Sequence, residues 1–190
     1  NFLIYYLKLK CHSPMSSNRP TIKTFGCRLN IWESEIIRKH ATDSYLNNTV
    51  IFNTCAVTSE AEKQARQAIR KIKREQPDKQ IIVTGCAAQI NPEKWNTMSE
   101  VDCVIGNQEK LLADSWQRLR NNQLSSIEVT NISKVKETAS HMIDSFEEHT
   151  RGFLQIQQGC NHRCTFCIIP YGRGDSVSLP VGEVSRRVEN

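Results

Sequence analysis

The chain has 190 residues, 38% of them hydrophobic and 24% charged, the balance of a globular protein long enough to bury a core in one or two domains. Its net charge of +5 favours an anionic partner such as nucleic acid without locating one. Eight cysteines beside long helical patterns, with no convincing signal peptide, argue against a disulfide scaffold and for thiols kept reduced in the cytoplasm; the apolar opening Phe2 to Leu7 is too short to span a bilayer of about 30 Å, so no membrane partner is expected.

The chain starts at Asn1, and Met15 would make a natural start just before the first strand. Residues 1–19 are therefore expected to form an unstructured or non-native leader, with Cys11 a leftover inside it. From Ile22 to Arg120, four apolar runs alternate with helical patterns. Ile22 to Phe25 leads to Gly26-Cys27 and a helix from about Asn30, in which Asn30 and Glu33 have the capping-box spacing. Val50-Ile51-Phe52 leads to Asn53-Thr54-Cys55 and a helix from Ser59, with Glu62 three residues on. Ile81 to Thr84 leads to Gly85-Cys86, and Asn91-Pro92 reads as a cap followed by proline at the first helical position. Cys103-Val104-Ile105 leads to Gly106-Asn107 and a helix ending near Arg120. This alternation predicts an α/β fold over residues 20–122, a parallel sheet with helices on both faces.

Strands of a parallel sheet all end on one edge, where ligands bind. Cys27, Cys55 and Cys86 each follow a predicted strand by one to three residues, so three thiols distant in sequence should converge there. One such cysteine is ordinarily a small buried residue. Three at equivalent places point instead to a shared metal site. Cys103 opens its strand and is read as core packing.

The helix from Ser59 to about Gln76 carries an apolar stripe of Ala61, Ala65, Ala68, Ile69 and Ile72 that should face the sheet. A second stripe, Lys63, Arg66, Arg70 and Lys73, is either a solvated face or a contact for nucleic-acid phosphates. Residues 123–148 are polar and weakly periodic and read as a linker, with one extended piece at Ile127 to Thr130; His141 and His149, within or just after it, are given no ligand role.

A second unit, residues 149–190, opens with an alternating run, Phe153 to Gln157, read as a strand. Cys160, Cys164 and Cys167 follow in the spacing CxxxCxxC. Three thiolates on one short loop suit three irons of a 4Fe-4S cluster. Zinc, with His162 as a fourth ligand, and inert thiols are the alternatives. Ser178-Leu179-Pro180 then precedes a helix from about Val181.

CxxxCxxC with Phe166 before the last cysteine resembles the signature of the radical S-adenosylmethionine enzymes, and Ile168-Ile169-Pro170 followed by Arg173-Gly174 is similar to their methylthiotransferase branch. The segments Thr24 to Asn30, Asn53 to Thr58 and Val83 to Gln89 resemble the three cysteine motifs of that branch's amino-terminal domain. The resemblance covers nearly all of residues 20–180. It implies two 4Fe-4S clusters: a catalytic one on Cys160, Cys164 and Cys167 and an auxiliary, sulfur-supplying one on Cys27, Cys55 and Cys86. It also implies S-adenosylmethionine as cofactor, with Phe166 and Arg173 as cofactor-binding residues.

The same resemblance implies that residues 149–190 are the first β/α unit of a partial barrel, cut off after the cluster loop. The family usually has arginine where Val177 stands between Ser176 and Ser178. Cys-Arg-Leu-Asn at Cys27 and Asn-Thr-Cys-Ala-Val-Thr at Asn53 look most like enzymes that methylthiolate N6-threonylcarbamoyladenosine at position 37 of tRNA. The implied partners are a tRNA substrate and an electron donor for cluster reduction, with the chain a monomer. Isopentenyladenosine in tRNA, an aspartate of a ribosomal protein, and a metal-binding remnant without catalysis stay open as alternatives.

Overall fold

Alternate residues of the central strands point to opposite faces of the sheet, and each face is covered. The computed structural model describes residues 19–135 and 153–189. Its main sheet has five parallel strands in sequence order: β1 (Thr21–Thr24), β2 (Thr49–Thr54), β3 (Gln80–Gly85), β4 (Cys103–Ile105) and β5 (Ile127–Glu128). Between them lie α1 (Arg28–Asp43), α2 (Ser59–Glu75), the short α3 (Cys86–Ile90) and α4 (Pro92–Asn96), and α5 (Ala113–Arg120) after a 3-10 turn at Glu109–Leu111.

On one face Val50, Phe52, Ile81, Val83 and Val104 pack against Ala65 and Ile69 of α2, Ala87 of α3 and Trp95 of α4. On the other, Ile22, Ile51, Ile82, Cys103 and Ile105 meet Ile37 and Ala41 of α1 and Trp116 and Leu119 of α5. The two faces read off as period-two alternation in strands that are buried on both sides. Cys103 is core packing, 3% exposed, as its place at the start of a strand implies.

Three local expectations are corrected. The first helix begins at Arg28, with Cys27 at the cap and no capping side chain. Asn30 and Glu33 lie inside this helix, fully buried, and bond to other elements. Spacing alone cannot distinguish a capping box from a buried polar pair one turn in. The second helix is capped by Thr58, whose hydroxyl accepts from the Ala61 amide, and Glu62 bonds instead to Arg66 and Lys94. Of the run Phe153 to Gln157, only Gln157 is in a strand. Pairing is confined to β6 (Gln157–Gln158), antiparallel to β7 (Val177–Ser178), while Phe153 packs on a cluster of Trp32, Ile36 and Leu111.

Asn91 caps α4 and Pro92 is its first residue, as expected. Within the expected linker, the extended piece at Ile127 is β5, which pairs with β4 and extends the sheet past residue 122. The remaining elements are α6 (Ile169–Arg173) and α7 (Val181–Glu189). Cys11, His141 and His149 lie outside the described residues.

Candidate functional site

The carboxyl edge of the sheet brings Cys27, Cys55 and Cys86 together. Cys27 caps α1, Cys55 follows β2, and Cys86 begins α3 directly after β3. Two glycines make the approach possible. Gly26 has φ +105, and a Cβ there would stand 2.5 Å from Cys55 Cβ and 2.7 Å from its Sγ. Gly85 has φ +97, and a Cβ would collide with the Thr54 backbone. Neither conformation is open to an ordinary side chain without strain. Burial pushes the Cys55 thiol up, although the Val57 amide donates to its sulfur; Cys86 and Cys27, close enough to act on it, push the same way.

Arg173, at the end of α6, lies among these thiols. Its Nε donates to Cys86 Sγ at 3.0 Å, its Nη2 to Asn30 Oδ1 at 2.5 Å and to Glu33 Oε2 at 2.9 Å, and its Nη1 to Glu33 Oε1. Glu33 is gripped from the other side by Lys110, whose Nζ is 2.7 Å from Oε2 and 3.3 Å from Asn53 Oδ1. Asn53 donates to the Asn30 carbonyl and to Ser34 Oγ, and Asn30 donates to the carbonyls of Phe25 and Thr54. Asn107 holds α6 in place by donating to the Gly172 carbonyl at 2.5 Å, and its amide nitrogen is 3.8 Å from Cys86 Sγ.

The electrostatics of this cluster are unequal. Burial alone would raise the Glu33 carboxyl, but the charges of Arg173 and Lys110 hold it below its ordinary value. Burial pulls Lys110 down, against the attraction of Glu33. Burial also opposes the charge on Arg173, which Cys86, Glu33 and Cys27 more than restore. One carboxylate thus faces two cations, and the surplus positive charge sits beside the thiols.

The CxxxCxxC loop is more open. Cys164 is exposed, and Cys160 and Cys167 are half-buried. The loop closes on its own flank: the Cys160 amide donates to the Gly174 carbonyl, Arg163 pairs with Asp175, and Asn161 accepts from the Ser176 amide. Phe166 is 90% exposed on it, and Tyr171 is exposed nearby. Arg173, expected to serve a cofactor beside this loop, points instead to the other set of cysteines. His162 is exposed.

A family model described as "Uncharacterized protein family UPF0004" matches residues 19–106. Over 172 residues, 90% of this chain and 40% of the relative, the sequence is 58% identical to the threonylcarbamoyladenosine tRNA methylthiotransferase MtaB of Rickettsia prowazekii (strain Madrid E). Over most of its own length the chain is similar to tRNA methylthiotransferases. It is also 37% identical over 176 residues to MtaB of Bacillus subtilis (strain 168), covering 87% of this chain and 39% of that protein. A tRNA-2-methylthio-N(6)-dimethylallyladenosine synthase of Buchnera aphidicola subsp. Baizongia pistaciae (strain Bp) is 31% identical over 185 residues, covering 90% of this chain and 41% of the relative. The chain spans about two fifths of the length of these curated relatives.

Each set offers three thiols, the soft donors that an iron-sulfur cluster takes. Among the described residues, no three Cys, His, Asp or Glu side chains are arranged to hold one metal ion. A lone tetrahedral ion needs its thiolates about 4 Å apart, whereas a cluster gives each thiolate its own iron and spreads them. The buried guanidinium of Arg173 beside Cys86 is a setting in which such a cluster would find a positive neighbour. Sequence reading placed Cys27, Cys55 and Cys86 at this edge but missed Lys110, Asn53 and Asn107 around them, and it gave Glu33 the wrong task. The signal for Lys110 and Asn107 was their place just after the fourth strand, on the edge where the cysteines gather.

Three of the four cations in the basic stripe of α2 have acidic partners. Arg66 bonds Glu62 at 2.8 Å and lies over the Trp95 ring, Arg70 is 3.8 Å from Glu100, and Lys73 is 3.6 Å from Asp102. Among the described residues no helix is long and apolar enough to cross a membrane.

Proposed function

We propose that this chain carries the amino-terminal domain and the cluster-binding loop of a tRNA methylthiotransferase acting on N6-threonylcarbamoyladenosine at position 37. The observation that carries the reading is the meeting of Cys27, Cys55 and Cys86 around a guanidinium delivered by the segment that also bears Cys160, Cys164 and Cys167. Such a meeting joins two sets of thiols in one body. Greater identity to threonylcarbamoyladenosine enzymes than to the dimethylallyladenosine synthase supports this choice of base.

Cys27, Cys55 and Cys86 would hold the auxiliary 4Fe-4S cluster, and Cys160, Cys164 and Cys167 the second, with S-adenosylmethionine near the exposed Phe166. When bound, these groups supply an electron to open the sulfonium of S-adenosylmethionine and a sulfur for transfer. The chain's own residues position them. Gly26 and Gly85 let the strand ends close up, burial keeps water from Cys55, and Glu33 with Asn30 fixes the direction of Arg173. A cytoplasmic tRNA and an electron donor are the partners of this reading.

Mass spectrometry of nucleosides from a strain lacking the gene tests it. Loss of the methylthio group from threonylcarbamoyladenosine, with methylthio-isopentenyladenosine unchanged, is expected. The reverse pattern would move the substrate to isopentenyladenosine, and no change in either would end the tRNA assignment.

A further inference from the structure

The guanidinium of Arg173 uses all of its faces on one task. Both terminal nitrogens are taken by Glu33 and Asn30, and Glu33 is itself fixed by Lys110. The remaining donor, Nε, is thereby aimed at Cys86 Sγ at 3.0 Å. Arg173 is 7% exposed, while Glu33 and Lys110 have no exposed surface, so the fork cannot swing away to another partner without leaving a buried charge unpaired. The backbone is held as firmly: Gly172, next to Arg173, would place a Cβ 3.2 Å from Cys86 Cβ, and its carbonyl takes the Asn107 amide. A charged donor aimed at a ligating sulfur is one of the ways proteins tune such centres, since hydrogen bonds to sulfur and local charge set their reduction potentials.

We infer that Arg173 is a positioning residue of the auxiliary site: anchored by Glu33 and Asn30, it donates to the Cys86 sulfur and so ties the CxxxCxxC segment to the centre held by Cys27, Cys55 and Cys86. The inference rests on the reading that these three cysteines hold a cluster. It assigns Arg173 to that cluster and not to the cofactor of its own loop.

The test uses the full chain with Cys160, Cys164 and Cys167 changed to alanine, so that the auxiliary site alone takes iron. After anaerobic reconstitution, iron per chain and a mediated one-electron titration with dithionite are measured for this background and for Arg173→Gln and Arg173→Lys within it. Arg173→Gln is expected to keep its iron and become harder to reduce by at least tenfold in the equilibrium, about 59 mV more negative. Arg173→Lys keeps the charge against Glu33 but lacks the planar fork whose Nε reaches Cys86 while the other nitrogens hold Glu33 and Asn30. It is expected to hold wild-type thermal stability while its potential moves the same way, and it stands in if Arg173→Gln does not fold. A purely structural arginine would be rescued by lysine in both measurements, which would overturn the inference. Wild-type potentials in both variants would overturn it too, with the cluster assignment intact. Absence of iron from the parent background would bring down the cluster assignment together with the inference.

Discussion

The ammonium of Lys110 lies 2.7 Å from the carboxylate of Glu33, and neither side chain has any exposed surface. With Arg173 on both carboxylate oxygens, this pair holds the sheet edge, the first helix and the CxxxCxxC segment together. Its geometry makes each member costly to lose.

Lys110→Met removes one cation and leaves Glu33 with Arg173 alone, while Glu33→Gln leaves two cations facing no carboxylate. Breaking a buried pair from one side costs about 3–5 kcal/mol. Urea unfolding should show a loss in that range for Glu33→Gln and a smaller one for Lys110→Met. Equal and negligible effects would refute a structural role for the triad.

Gly26→Ala imposes a side chain on a φ of +105 and drives its Cβ onto Cys55. Strain and overpacking together should cost about 2–4 kcal/mol. Reconstituted iron attributable to Cys27, Cys55 and Cys86 should fall with it. An alanine variant with normal iron and stability would show that the close approach is dispensable.

Burial pushes the Cys103 thiol up to about 11, with the Glu128 carboxylate adding to the effect. In the unfolded chain the thiol ionises near its ordinary value, about 9. Between these values the unfolded state has released a proton that the folded state still holds, so stability falls as pH rises from about 9 to about 11 and is unaffected below. The contribution is up to about 3 kcal/mol. It is isolated by comparing wild type with Cys103→Val, whose stability should decline less over this window. Alkylation at pH 8 should reach Cys164 well before Cys103.

The paired state of α2 predicts little from its basic stripe. Arg70→Ala, and Lys73→Ala likewise, should change stability by no more than about 0.5–1 kcal/mol, as for exposed ion pairs. Neither should reduce the salt dependence of tRNA binding, because a cation already neutralised by Glu100 or Asp102 releases few counterions from RNA. A drop of about one in the salt slope for either variant would restore this helix as a phosphate contact.

The sheet was legible because its signal is local: Val50-Ile51-Phe52 and Ile81-Ile82-Val83 announce buried strands, and the cysteines follow at fixed offsets. Their convergence needed only the rule that parallel strands share an edge. What lay beyond the sequence was pairing at long range. Glu33 and Lys110 are 77 positions apart, and Glu33 and Arg173 are 140 apart, so nothing near Glu33 distinguishes a buried anchor from a capping carboxylate. The run Phe153 to Gln157 failed for a related reason. Alternation marks a strand only when a neighbour is there to pair, and β7 offers just two residues. The fifth strand showed only as an extended piece at Ile127 to Thr130, because it is two residues long and carries Glu128.

Strand order has a consequence for how the protein matures. The five strands are laid down in the order in which they neighbour one another, so the sheet can assemble as the chain leaves the ribosome. Cys86 precedes Arg173 by 87 residues, which at about 5–20 residues per second is roughly 4–17 seconds of synthesis. For that interval the three sheet-edge thiols are gathered but uncovered. Arg173, the guanidinium that donates to Cys86, is the last part of this arrangement to be made.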